Sequence, residues 1–138
     1  MFSGVESKRL IGRYLQAMSG QAKSPELVAR FVSDPRLAEH IQQVEAAFPF
    51  YEIVAEELIA ERNLVAMRGT FRGCHNRPFA GIEATGEWVT ADLMIVYRIE
   101  ADRIAEHWLY FDTAALRAQL NKPIEVGKNA DASLTQAL

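Results

Sequence analysis

An α+β protein, with its helices gathered ahead of an antiparallel sheet, is what the order of hydrophobic periods predicts. Two observations carry this. Apolar residues recur at helical spacing as far as Phe48, and beyond Pro49 the spacing changes to that of strands rich in Val, Ile, Tyr, Trp and Phe. The strands are joined in pairs through Glu61-Arg62-Asn63 and Glu100-Ala101-Asp102, connections too short for anything but antiparallel neighbours. Helices segregated from strands exclude a doubly wound fold.

The first helix uses Val5, Leu10, Ile11, Tyr14, Leu15 and Met18, and Ser19-Gly20 stops it. Ser24-Pro25-Glu26 opens the second, with Ser24 as cap, Pro25 at the first helical position, and Leu27, Val28, Phe31 and Val32 as the apolar face. Asp34-Pro35 repeats that signal and opens a third helix to about Phe48. Its stripe is Leu37, Ile41, Val44 and Phe48, bordered by His40. Strands follow over Tyr51–Ala60, Leu64–Gly73, Trp88–Ile99 and Arg103–Asp112, with a loop over Cys74–Glu87. Asp112 caps a last helix whose inner side is Ala115, Leu116 and Leu120. One domain over residues 1–120 and an aperiodic tail over 121–138 are expected.

The chain has 138 residues, enough for one domain with a real core. Hydrophobic residues at 49% against 24% charged place it among folded proteins rather than disordered ones. Fifteen basic and eighteen acidic side chains leave a net charge of −3, which argues against the concentrated basic face that nucleic acid requires. Residues 1–23 hold no apolar signal core, and the run Leu93–Tyr97 is far too short to cross a membrane. The single cysteine, Cys74, permits no internal disulfide and fits a cytoplasmic location.

Strand parity adds a partner. Val89, Ala91, Leu93, Ile95, Tyr97 and Ile99 alternate onto one face of the third strand, while Trp88, Met94 and Val96 take the other. On the fourth, Ala105, His107, Leu109 and Phe111 oppose Ile104, Trp108 and Tyr110. Both sheet faces thus carry large apolar groups. The chain's own helices cover one, and a second copy covering the outer face makes a homodimer the expectation.

Gly73-Cys74-His75, then Phe79-Ala80-Gly81-Ile82-Glu83-Ala84-Thr85-Gly86, resembles the SnoaL-like polyketide (ester) cyclase family of the nuclear transport factor 2-like superfamily. So do Tyr97-Arg98-Ile99, Arg103-Ile104-Ala105-Glu106-His107-Trp108 and Phe111-Asp112, and the likeness covers roughly residues 10–120. It implies a cone in which the sheet wraps a helix around a pocket. It also implies ring closure by intramolecular aldol chemistry with no metal or organic cofactor. The family's acid/base aspartate, two residues after the histidine that matches His107, falls on Leu109. Two polar pocket positions, a Gln and a His, fall on Leu93 and Ile95. None of these can carry a proton, so they make a drier pocket suited to a small hydrophobic molecule.

His107 and His40 are the candidate acid/base residues, imidazole being the side chain that titrates near neutrality. A core histidine bonded to a neighbour is the alternative for each. Tyr14, Phe48, Phe79, Leu93, Ile95, Leu109 and Phe111 are expected on the pocket wall, and the Tyr14 hydroxyl is placed to polarise a carbonyl. Asp92 alternates to the outer face, where Arg68 or Arg98 is its natural partner. Cys74-His75 is no nucleophile pair, because adjacent extended residues diverge, and the histidines and cysteine offer no zinc spacing. Two readings stand: a cofactor-independent enzyme acting on a hydrophobic carbonyl compound, or a binding protein with the same pocket. An epoxide hydrolase of the superfamily is a weaker third, lacking an inward Asp–Arg–Asp set. Sedimentation equilibrium at micromolar concentration should return a dimer; a monomer would refute the two-faced sheet argument.

Overall fold

A computed structural model describes residues 3–121, so all but Asn121 of the expected tail lies outside the described residues. Helix α1 spans Gly4–Met18, α2 Pro25–Phe31 and α3 Pro35–Ala47; strands β1 Glu52–Glu61, β2 Leu64–Cys74, β3 Trp88–Glu100 and β4 Arg103–Phe111 follow, then α4 Thr113–Leu120. Each helix starts where a side chain can take up its free amides. Ser3 and Glu6 form a reciprocal capping box on α1, Ser24 accepts from Leu27 N–H on α2, and Asp112 accepts from Ala115 N–H on α4. The Asp34 carboxylate does the same for α3, accepting from the Arg36 and Leu37 amides. Within α1, Leu10, Ile11, Tyr14 and Met18 are buried, but Val5 is exposed and leaves the expected stripe.

The four strands form one antiparallel sheet in the order β1-β2-β3-β4. Its inner face, with Val65, Met67 and Phe71 on β2 and Val89, Leu93, Ile95, Tyr97 and Ile99 on β3, packs on α1 and α3. Two irregularities shape it. The β1–β2 register slips between Ala55 and Glu57 beside Gly69, where a Cβ would stand 2.8 Å from the Val54 carbonyl oxygen. On the other side the β3–β4 register slips between Arg98 and Ile99, so Ile104 pairs with Ile99 and is fully buried. This corrects the simple alternation that put Ile104 with Trp108 and Tyr110: the extra residue in β4 reverses which face follows.

Inward rotation of Ile104 lets the chain before α3 join the sheet. Val32 forms a parallel bridge to Ile104, and the Ser33 and Asp34 amides both donate to the Ile104 carbonyl, at 2.9 and 3.1 Å. A second tie lies at the opposite corner. Lys23, almost wholly buried, donates to the Gln21 and Tyr51 carbonyls and to Glu45, and its ammonium sits 4.0 Å from the centre of the Tyr51 ring. Gln119 of α4 closes the free edge of β3, exchanging hydrogen bonds with both the amide and the carbonyl of Thr90.

The outer face leaves Val54, Ile59, Trp88, Met94, Trp108 and Tyr110 exposed, Tyr110 at 75%. Its arginines pair differently from expectation. Arg68 bonds Glu57 and Arg98 bonds Glu106, each across to the neighbouring strand, and Asp92 has neither as its hydrogen-bonded partner. Cross-strand partners directly opposite win because they are nearer. Two substitutions test these joints by denaturant unfolding. Gly69→Ala should destabilise by about 1–3 kcal/mol, since backbone rather than a flexible side chain meets the new methyl. Asp34→Ala should lose roughly 1–3 kcal/mol, and Asp34→Asn, which can still cap α3, less.

Candidate functional site

A cavity of about 520 Å³ lies between the helices and the inner sheet face, within the range of small-molecule sites. α3 supplies Leu37, His40, Ile41 and Val44, and α1 supplies Tyr14. Met67, Phe71, Leu93, Ile95 and Tyr97 form the sheet side. The rim is built from Phe79 and Ala80 of the 75–87 loop, with Tyr110, Thr113 and Leu116 opposite. Phe79-Ala80-Gly81-Ile82 is a tight two-residue reversal, closed by paired backbone bonds of 2.9 Å between Phe79 and Ile82, with Ala80 and Gly81 both left-handed.

Of the residues singled out from the sequence, Tyr14, His40, Phe48 and Phe79 reach the cavity wall, as do Leu93, Ile95, Leu109 and Phe111. His107 does not line it. Its Nδ1 lies 2.7 Å from Asp34 Oδ2, and both side chains are nearly buried behind the wall. Tyr51 and Tyr97 are wall residues that were not singled out. Tyr97 shares strand parity with Leu93 and Ile95, and Tyr51, just ahead of β1, with Ile53, so both could have been read from it.

The lining is aliphatic and aromatic, and register explains one patch. Leu93 pairs with Phe111 and Ile95 with Leu109, so Leu93, Ile95 and Leu109 sit together on neighbouring strands. Polar groups enter singly. No hydrogen bond to the described residues engages the hydroxyls of Tyr14, Tyr51 and Tyr97; burial raises all three above the ordinary phenol range, and at Tyr51 and Tyr97 the neighbouring Tyr14 adds to it. His40 likewise has no hydrogen-bonded partner among the described residues. Burial, then repulsion from His107, lowers its pKa and favours the neutral ring. Burial alone would raise the Asp34 carboxyl, but bonds from His107 and the Arg36 and Leu37 amides, together with the His107 charge, hold it below the usual range. Among the described residues no group of three His, Cys, Asp or Glu side chains is placed to hold a metal, and no helix is long and apolar enough to cross a membrane.

Cys74 and His75 do not form a pair. Cys74 contacts Asn76 and Gly86, while the buried His75 ring turns to Thr85 and stacks on Phe48. Asp112 serves as the α4 cap.

Known structures share this architecture. AclR from Streptomyces galilaeus, assigned provisionally as a hydroxylase, superposes with a TM-score of 0.74 at 22% identity, covering 86% of this chain and 97% of its own. TsrD from Streptomyces laurentii gives 0.73 at 20% identity, covering 88% and 98%. A SnoaL-like polyketide cyclase from Agrobacterium tumefaciens gives 0.70 at 19% identity, covering 88% and 100%. These likenesses establish the nuclear transport factor 2-like cone. No curated protein sequence matches the chain. The family model of the SnoaL-like polyketide cyclases matches residues 13–120. Lying across most of the chain, that match answers the question the cavity raises: the protein belongs to the SnoaL-like polyketide cyclase family.

Proposed function

We propose that the cavity takes a small hydrophobic carbonyl compound and moves a proton on it without a cofactor, His40 acting as the base and Tyr14 as the donor to the carbonyl oxygen. One observation supports this above the others: polar groups with no hydrogen-bonded partner among the described residues stand in an otherwise apolar cavity. A proton-transfer site needs a neutral imidazole and a hydroxyl donor facing one cavity, and both are present here. His107, bonded to Asp34, takes a positioning role behind the wall in this reading. Leu109, Leu93 and Ile95 separate the reaction from the usual polyketide ester cyclisation, which needs an aspartate at the first of them. That same patch favours a second reading, non-catalytic binding of an apolar ligand. A homodimer through the outer sheet face and a cytoplasmic location complete the proposal.

Native mass spectrometry of protein purified from its own host should show a dimer carrying a hydrophobic small molecule. On that compound, His40→Gln should lower proton exchange next to the carbonyl by about 10²–10⁴-fold while leaving binding intact; unchanged exchange would leave the binding reading. Because His40 is neutral to lower pH than a free imidazole, the exchange rate should hold as pH falls through about 6.5 and drop only below it. Leu109→Asp should either destabilise by several kcal/mol or titrate well above the ordinary aspartate value, read by carboxyl NMR. No change in either would remove Leu109 from a closed cavity.

A further inference from the structure

We propose that His75 is an acid-sensitive latch on the loop that brings Phe79 and Ala80 to the cavity: its neutral ring holds residues 85–87 against the start of that loop, and protonation releases them. The inference concerns regulation of the proposed ligand site, but the latch itself is independent of what the cavity does.

The ring is fully buried and its protonation state is dictated by its neighbours. The Thr85 amide donates to Nδ1 at 3.3 Å, so Nδ1 is an acceptor and the single proton of the neutral ring sits on Nε2. Nε2 is buried with no hydrogen-bond partner among the described residues. A second proton must therefore go to Nδ1. On Nδ1 it faces the Thr85 N–H; the Thr85 hydroxyl, 3.1 Å away, can turn to accept it, but the amide cannot. Protonation thus costs a hydrogen bond and buries a charge. The exposed loop charges of Arg77, Glu83 and Glu87 make no side-chain bond to the ring, and the Phe48 face stacked on it is uncharged. Burial accordingly lowers the His75 pKa, with the Arg77 backbone opposing it only in part.

Asn76 and Arg77 N–H anchor the start of the loop to the Ala47 carbonyl at 2.9 and 3.3 Å, and Arg117 donates to the Ala80 carbonyl at 3.3 Å, so the ring's contact with Thr85 bears on the 85–87 end. His75 N–H donates to Glu87 O and Gly86 N–H to His75 O, at 2.9 and 2.8 Å, and the Thr85 bond lies between them. Beyond this clasp the loop carries Phe79 and Ala80 to the cavity rim. Phe79 meets the edge of Phe48, 5.2 Å between centres, and Phe48 stacks on His75 at 5.3 Å. The sign follows from the lowered pKa. The open loop binds the proton more tightly, so closure is fully favourable above about pH 6.5 and weakens as pH falls from there towards the closed-state pKa.

Hydrogen exchange of the full chain tests this at about pH 7.5 and about pH 5, corrected for intrinsic rates, on the peptide covering Thr85–Glu87. Wild-type protection there should fall at least tenfold on acidification while α1 stays protected. His75→Gln, which can accept from Thr85 but cannot titrate, should hold its protection at both values. Unchanged wild-type protection, or an equal loss in His75→Gln, overturns the latch. Should that variant not fold, wild-type imidazole NMR decides: an Nε2–H tautomer titrating below the ordinary histidine value supports the latch, and the Nδ1–H tautomer or an ordinary titration overturns it. Nile red, a neutral apolar probe, reports separately on the cavity. Weaker binding at the lower pH in wild type, but not in His75→Gln, links latch to rim despite the titration of His40; equal weakening in both breaks that link. No binding at either pH counts against the ligand reading alone.

Discussion

The carboxylate of Asp34 is where the helical layer and the sheet become one structure. One oxygen caps α3 and the other holds His107 on β4, while the backbone beside it is bonded to Ile104. α3 forms one wall of the cavity and β3 with β4 another, so the gap between them is fixed at this joint. A carboxylate suits it because the helix N-terminus and an imidazole both favour negative charge there, which offsets the burial that opposes ionisation. The joint exists only because the slip in β4 turns the Ile104 region inward.

From that geometry follows the contrast between the cavity and its back wall. Behind the wall His107 is satisfied by Asp34, and Lys23 by two carbonyls and Glu45. Inside it, tyrosine hydroxyls and His40 have no such partners among the described residues. Desolvation makes each of these a stronger donor or acceptor towards a ligand than it would be in water. The aliphatic patch of Leu93, Ile95 and Leu109 keeps the far side dry. The scaffold of the SnoaL-like family here carries single polar groups in an otherwise apolar cavity.

Much of this was legible in the sequence because it is local. Ser24-Pro25, Asp34-Pro35 and Asp112 announce helix starts through the chemistry of a few neighbouring residues, and the strand bounds follow alternation to within a residue or two. Parity sorted Leu93, Ile95, Leu109 and Phe111 onto the cavity side. It failed at Ile104, since alternation cannot register an inserted residue.

The sequence by itself determined the α+β class, the capped helices, the hairpins and which strand face turns inward. Each rests on forces acting within a turn of helix or a pair of strands. Tertiary structure alone decided that His107 would meet Asp34, 73 residues away, and stand behind the cavity while His40 lines it. It also decided that three tyrosines would share one apolar space. Those outcomes depend on bulges, on helix placement and on how layers close, and a side chain's partner across such a gap is set by packing rather than by its neighbours in the chain.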